Sequence, residues 1–458
     1  MLELDDTIAA ISTPLGEGAI GIVRLSGPRA FDIAERIFIS PKNKSISQAT
    51  SHSMLYGFIV NPDTQETIDE VLLTVLKAPN TYTREDMVEI NCHGGVLAVR
   101  KVLELVLGLG ARLAEPGEFT LRAFVNGRID LSQAEATADL IKAKTERSSK
   151  IALDQLKGSL SNKIKTLRES LTEVVVHIEA YIDFPEEELD LETEDKLINR
   201  LKTIKEELQK LSLTYEEARF YRDGVAVAIV GRPNVGKSSL LNRLMQQDRA
   251  IVTEIPGTTR DVIEEYLNLE GLPVRIMDTA GIRKTHDLAE AEGVRRSLQA
   301  IEGADLILAL LDLSQPLTEE DRFMLDKVRH KNTLLVLNKA DLKAQLPLSD
   351  LPDEIQKVRI SAKTGDGLDE LKKAILRQII KKEISSEGVV ITNMRHKLAI
   401  DRAVLAITRT IDAIKDKAPY EIIALEARDA LNSLGEIIGE VTTDDILNRI
   451  FSSFCIGK

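Results

Sequence analysis

Nine residues, Gly231 to Ser239, read GRPNVGKSS. A glycine, four residues and then Gly-Lys-Ser is a spacing suited to gripping phosphate. The run before it, VAVAIV (Val225 to Val230), is apolar and β-branched, and reads as a buried strand. The run after it, SSLLNRLM, has helical spacing. A strand, a glycine turn and a helix N-terminus together turn backbone N–H groups toward an anion. In such a loop Asn234, Val235, Gly236, Lys237, Ser238 and Ser239 would surround a nucleotide's phosphates. Lys237 would reach the β- and γ-phosphates, and the Ser238 hydroxyl would ligate Mg²⁺. The plain alternative is a glycine turn between strand and helix, and the matching flanks weigh against it.

Three further segments follow in order, each behind a strand-like run. Asp278-Thr279-Ala280-Gly281 ends VRIM (Val274 to Met277). An acid there can hold a water of the Mg²⁺ shell, and the Gly281 N–H can meet the γ-phosphate. Asn338-Lys339-Ala340-Asp341 follows TLLVL (Thr333 to Leu337). A carboxylate at Asp341 accepts two hydrogen bonds from guanine, a donor pattern that adenine lacks, so it selects GTP over ATP. Asn338 and Lys339 would brace and cover the base. Ser361-Ala362-Lys363, after KVRI, would present a main-chain N–H to the guanine O6 oxygen. Gly257-Thr258-Thr259-Arg260-Asp261 is the candidate switch I, with Thr259 as a second Mg²⁺ ligand. The set resembles the translation-factor-related GTPases. One departure stands out. Ile282 follows the DTAG stretch where Ras-type enzymes place a water-orienting glutamine. Arg260 and Arg283 could serve as arginine fingers, but both also read as ordinary salt-bridge residues.

The C-terminus, FSSFCIGK (Phe451 to Lys458), joins GRPNVGKSS, GTTRD and DTAGIR in one pattern. With TIAAISTPLGEGAIGIVRLSG, PGEFTLRAF and YIDFPEEE, it resembles the MnmE (TrmE) family of tRNA-modification GTPases over the whole chain. The resemblance implies a homodimer acting with the flavoprotein MnmG in a heterotetramer-type complex. It implies modification of carbon 5 of a tRNA wobble uridine by an aminomethyl or carboxymethylaminomethyl group, with a tetrahydrofolate as one-carbon donor. It also implies a substitute for the missing glutamine: G domains pair across their nucleotide faces in the presence of K⁺. Asn234, main-chain oxygens of Thr253 and Ile255, and the Thr258 position are the K⁺ ligands carried over, within a closing GTP-binding loop that includes Glu254, Pro256 and Gly257. Glu290 takes the place of the carboxylate that positions the attacking water. On spacing alone it is a solvated acid in HDLAEAEG. For 5-formyl-tetrahydrofolate the positions carried over are Arg24, Glu89, Arg128 and Lys458. Arg128 stands where some relatives carry lysine. Arg24 and Arg128 also read as surface ion-pair residues. Cys455, three residues from the end, becomes a candidate nucleophile or acid if this tail docks at the folate site, with Lys458 a possible cationic neighbour. Cys92 reads as a buried small hydrophobe.

Composition bounds the rest. A chain of 458 residues accommodates two or three domains. It has no run of eighteen apolar residues, no basic cluster ahead of an apolar start, and two distant cysteines. A reducing cytoplasm is the expectation. A net charge of −13 sits awkwardly with a polyanionic substrate. Lys142, Lys144, Arg147 and Lys150 are the best local basic candidate, although the wet side of a helix explains them equally well. Weak tRNA binding by the chain alone is expected, with the partner supplying most of the basic surface.

These motifs need positioning elements. Ala19–Leu25, Glu70–Leu76 and Met87–Asn91 read as strands; PRAFDIAERIF, with Pro28 at its first turn, and VLAVRKVLELVL read as helices. From Leu131 the pattern is helical. Leu153 through Ile178 gives one long amphipathic helix that Pro185 stops, and Leu197 to Leu211 a second that runs back. Helical spacing resumes over Ala399–Ile414, Glu421–Leu434 and Asp444–Phe451. The expected architecture is an N-terminal α+β domain (1–118), a discontinuous helical domain (119–219 and 382–458) and an inserted α/β P-loop (Ras-like) G domain (220–381). Two rival readings stay open here: a regulatory RNA- or ribosome-binding GTPase switch without base chemistry, and a helical scaffold with a structural nucleotide.

Overall fold

The computed structural model describes residues 5–183, 193–248, 265–277, 299–380 and 388–458. The N-terminal part is a seven-stranded sheet with spatial order β3-β4-β5-β6-β2-β1-β7. Its elements are β1 (Ile8–Ile11), β2 (Ile20–Ser26), α1 (Ala30–Ile37), β3 (Phe38–Ile39), β4 (Ser53–Val60), β5 (Thr67–Leu76), β6 (Met87–His93), α2 (Val96–Gly108) and β7 (Arg112–Leu113). The pairs are antiparallel except β1 with β7. Alternation along the strands sends Val23, Leu25, Val71, Leu73, Val88 and Ile90 to one face, where α1 and α2 cover them. Each such side chain removed from water contributes about 1.5–3 kcal/mol. The opposite face keeps Met54, Tyr56 and Leu72 exposed, and carries Arg24 and Glu89 in register. Pro28 lies outside α1, whose N-cap is Arg29.

The helical part follows: α3 (Glu118–Val125), α4 (Leu131–Lys142), α5 (Glu146–Leu156), α6 (Ser159–Asp183), α7 (Glu194–Leu213) and α8 (Tyr215–Asp223). Asp130 and Gln133 close a capping box at the start of α4. The single long helix expected from Leu153 to Ile178 is in fact two. The chain turns at Gly158, which takes a φ of +91°, so Leu153 and Leu156 belong to α5 and the seam from Leu160 onward to α6. The expected stop at Pro185 lies outside the described residues.

The G domain holds β8 (Val225–Val230), α9 (Lys237–Asp248), β9 (Glu265–Leu269), β10 (Leu272–Met277), β11 (Leu306–Asp312), α10 (Glu319–Val328), β12 (Thr333–Asn338), β13 (Lys357–Arg359) and α11 (Leu368–Ile379). Its sheet runs β13-β12-β11-β8-β10-β9, parallel except for the β9–β10 hairpin. The chain builds outward from β8 in both directions, so the strand order reverses beside β8. In open α/β sheets that switch point is where ligands bind.

After the G domain come α12 (Met394–Lys415), α13 (Tyr420–Ile438) and α14 (Asp444–Phe451). One apolar core joins α6 and α7 to α12 and α13 through Leu171, Ile178, Leu201, Leu208, Ile407 and Leu434. Helices from both sides of the G domain therefore form one bundle, and the G domain is an insertion within it.

Candidate functional site

The strand-to-helix loop at the end of β8 carries the phosphate-binding stretch. Gly236 takes a φ of +104°, and a Cβ there would lie 2.2 Å from the Asn338 Nδ2. Only glycine fits that position. Asn234 also adopts a positive φ, 63°, which asparagine tolerates better than most residues, and its side chain is exposed. Val235 is fully buried and anchors the loop. Ser238 and Ser239 are exposed in the first turn of α9. The Lys237 Nζ donates to the Gly231 and Arg232 carbonyls at 2.6 and 2.9 Å. Burial pushes this ammonium below the usual lysine range. A desolvated cation curled back on the carbonyls of its own loop is well suited to a phosphate, whose charge would reverse that shift. The residues present thus fit a nucleotide with its Mg²⁺.

The base-reading residues converge on the same edge. Asn338 ends β12 and is buried. Its Nδ2 donates to the Val235 carbonyl at 2.7 Å, and its Oδ1 accepts the Ala362 N–H at 2.9 Å. One carboxamide thus ties the phosphate loop to the base loop. Lys339 takes a positive φ of 66°, with its Nζ 2.7 Å from the Asp312 Oδ2. Ala340 donates its N–H to the Ile360 carbonyl. Asp341 is exposed, and its Oδ1 accepts the Ser361 hydroxyl at 2.7 Å. That hydrogen bond holds the carboxyl below its ordinary range, ionised and ready to accept. Ala362 is buried and Lys363 is exposed beside it. Asp312 was not legible as part of the site, because nothing local marks the end of β11 as the partner of Lys339.

Thr253, Glu254, Ile255, Pro256, Gly257, Thr258, Thr259, Asp278, Thr279, Ala280, Gly281 and Glu290 lie outside the described residues, as do Arg260, Ile282 and Arg283. The flanking strands are described. β9 begins four residues after the GTTRD stretch, and β10 ends immediately before Asp278.

A second constellation lies on the open face of the N-terminal sheet. Arg24 on β2 and Glu89 on β6 are register partners, and their side chains pair at 2.8 Å. The C-terminal tail docks beside them. Ile456 forms a β-bridge with Pro116, the Phe119 N–H donates to the Lys458 carbonyl at 3.1 Å, and the Gly457 carbonyl accepts from both Ser12 Oγ and Arg24 Nη1 at 3.2 Å. A Cβ on Gly457 would lie 2.3 Å from the Ile11 carbonyl, so the tail can approach β1 this closely only through glycine. Burial and the Arg24 guanidinium lower the Lys458 ammonium pKa, against an opposing pull from Glu89 and Cys455. Cys455 is exposed at the rim.

Tyr82 completes this group. The Arg24 guanidinium lies 6.0 Å from its ring centroid and 5.6 Å from that of Phe119. Arg128 stacks over the same Tyr82 ring at 4.6 Å and donates to the Tyr82 carbonyl at 3.2 Å. Arg24, Glu89, Arg128 and Lys458, spread over the length of the chain, are thus brought together. A carboxylate, cations and an aromatic face fit the amino-pterin ring and acidic tail of a folate. Tyr82, Phe119 and Ser12 were not found from sequence, since no spacing rule marks them. Cys92, on the covered face of the same sheet, is buried as expected, and burial pushes its thiol up to about 12.

The basic stretch offered for tRNA divides. Lys144 faces the Tyr266 ring at 5.7 Å and Arg147 stacks over Tyr221 at 4.6 Å, both aromatic groups of the G-domain side. Lys142 and Lys150 stay exposed. Among the described residues no helix is long and apolar enough to cross a membrane.

The chain is similar to known proteins over nearly its whole length. Residues 7–128 match the family model described as the GTP-binding protein TrmE N-terminus, and residues 131–455 match the MnmE helical domain. The chain is 47% identical to a protein of Alkaliphilus oremlandii over 99% of its own length and 100% of the relative's. It is 47% identical to one of Bacillus licheniformis with the same coverage. It is 48% identical to one of Thermoanaerobacter pseudethanolicus over 99% of both chains. Each of the three is named tRNA modification GTPase MnmE.

Proposed function

The chain belongs to the MnmE (TrmE) family of tRNA-modification GTPases, and we propose that it is a K⁺-dependent GTPase, activated by G-domain pairing, that modifies carbon 5 of a tRNA wobble uridine. It does so with a flavoprotein partner, MnmG, in a heterotetramer-type complex in the cytoplasm. The product carries an aminomethyl or carboxymethylaminomethyl group, with the carbon drawn from 5-formyl-tetrahydrofolate. The observation that carries this reading is the Gly457 carbonyl on Arg24 Nη1 at 3.2 Å, with Glu89 on the same guanidinium. It brings the backbone of the C-terminal Cys455-Ile456-Gly457-Lys458 beside the candidate folate residues, with Cys455 exposed at the rim, and so supports this reading.

In the G domain, Lys237 and the N–H groups of residues 234–239 hold the phosphates, and Asp341 reads guanine, backed by Ser361, Ala362 and Lys363. Ser238 and Thr259 hold Mg²⁺, which neutralises phosphate charge when bound. Asn234, with Thr253, Ile255 and Thr258, holds K⁺ in the role that an arginine finger takes in other GTPases. Glu290 positions water. In the N-terminal site Glu89 accepts from the pterin ring, and Arg24, Arg128 and Lys458 meet carbonyl and carboxylate groups. The exposed row Met54, Tyr56 and Leu72, on the face that carries Glu89, supports pairing with a second copy.

The test is mass-spectrometric nucleoside analysis of tRNA from cells lacking the chain. Loss of the modified uridine, restored by the wild type but not by Cys455→Ser with its GTPase intact, is the expected result. An unchanged nucleoside profile in the deletion would leave a regulatory GTPase instead.

A further inference from the structure

One short helix, α4, contacts the C-terminal segment and the residues on both sides of the G domain. On one face of α4, Leu131, Ala134 and Ala138 pack against Phe451 and Phe454 of the C-terminal segment, and the Lys142 Nζ donates to the Ser453 carbonyl at 3.3 Å. Ser453 is two residues from Cys455. On another face, Glu135 and Asp139 sit one turn apart. Glu135 accepts from Asn393 and Arg395, which follow the G domain in the chain, at 2.9 and 2.7 Å. Asp139 accepts from Arg222, which immediately precedes it, at 2.9 Å. Both chain crossings into the G domain are therefore fastened to α4.

The third attachment is the most specific. Three residues past the end of α4, the buried Thr145 hydroxyl donates to the Gly271 carbonyl at 2.7 Å. Gly271 is the turn between β9 and β10. In the sequence β9 begins four residues after the GTTRD stretch, and β10 ends immediately before DTAG. Five register pairs join β9 to β10, so the hairpin moves as one stiff piece about 17 Å long. Lys144 and Arg147, on either side of Thr145, stack on Tyr266 and Tyr221 and hold this junction to the G domain.

We propose that Thr145 and Lys142 are positioning residues that tie the β9–β10 hairpin to the C-terminal tail, so that the state of the nucleotide sets the placement of Cys455. A shift of the hairpin at its nucleotide end reaches Gly271, moves Thr145 and the end of α4, and draws Ser453 through Lys142. The proposal rests on the nucleotide reading of the G domain but not on any chemistry of Cys455, which serves as a reporter.

The experiment measures the rate at which N-ethylmaleimide alkylates Cys455 in the full-length protein, scored by peptide mass. Cys92 is buried and stays silent. Rates are compared with GDP and with GDP plus aluminium fluoride, in K⁺ and Mg²⁺. In the wild type the two rates should differ by about threefold or more. Thr145→Val and Lys142→Met should bring the ratio to near one with GTP hydrolysis retained. Thr145→Ser and Lys142→Arg should restore it. Thr145 also caps α5 by accepting the Ser148 N–H, so a melting curve accompanies each variant, and Lys142→Met, at an exposed position, carries no such burden. Equal wild-type rates in the two states, or a wild-type ratio in either loss variant, would overturn the proposal. A lost tRNA modification assay would leave this result standing, so the two readings fail separately.

Discussion

The Asn338 side chain holds the Val235 carbonyl at 2.7 Å, across 103 residues of sequence. Its other end takes the Ala362 N–H. A residue of the guanine motif thus sets the shape of the phosphate loop. Asn338→Ala would leave a buried carbonyl and a buried N–H unpaired, at a cost of about 1–3 kcal/mol. Titration with a fluorescent GDP should show affinity falling about 10- to 100-fold. An unchanged affinity would mean that the two loops are independent.

Base choice depends on Asp341. Its carboxylate, kept ionised by Ser361, only accepts hydrogen bonds. A carboxamide can donate to the extra carbonyl of xanthine. Asp341→Asn should therefore shift preference from guanine to xanthine nucleotides by about a hundredfold or more. Competition between GTP and XTP measures it.

The second site makes its own demand. Glu89→Gln removes the negative partner of a half-buried Arg24 and turns one of the two acceptor oxygens offered to the pterin ring into a donor. Calorimetry with 5-formyl-tetrahydrofolate should give a dissociation constant raised about tenfold or more, since a hydrogen bond to a charged group is worth about 1.5–3 kcal/mol. GTP turnover should not change.

The fastening of α4 has a pH signature. Burial alone would raise the Glu135 carboxyl, but His396 and Arg395 hold it down to about 2 from 4.5. A carboxyl depressed in the folded state contributes stability in full above pH 4.5 and loses it as pH falls toward 2. Asp139, raised by burial despite Arg222, acts in the opposite sense and costs stability as it ionises. Glu135→Gln should lower unfolding stability near pH 7 by about 3 kcal/mol, because it removes the buried carboxylate that pairs with the partly buried Arg395 and the buried His396. The difference from wild type should shrink as pH drops from 4.5 to 2. Urea melts across that range measure it.

Much of this was legible because it is local. The phosphate loop, the guanine motif and the Ser361 stretch each declare themselves within nine residues, and the strands before the first two are near-continuous apolar runs, VAVAIV and TLLVL. The discontinuous bundle was legible too, since apolar faces on either side of the G domain had to cover one another. The break at Gly158 was hidden because the leucine spacing continues across it, from Leu156 to Leu160. Tyr82, Asp312 and the Glu135 cluster were hidden for another reason. Their partners lie 27 to 261 residues away, and only the folded topology brings them together. Lys144 and Arg147 read as a basic patch in the sequence, but in the fold they lie over the Tyr266 and Tyr221 rings.

The central claim is that GTP hydrolysis waits for two G domains to enclose a K⁺ ion. It is tested most directly by measuring GTP turnover per chain at rising protein concentration, in K⁺ and in Na⁺, with wild type and Asn234→Ala. Turnover should climb with concentration in K⁺, stay about tenfold or more lower in Na⁺, and lose its K⁺ response when Asn234 is replaced. Turnover indifferent to both cation and concentration would contradict it.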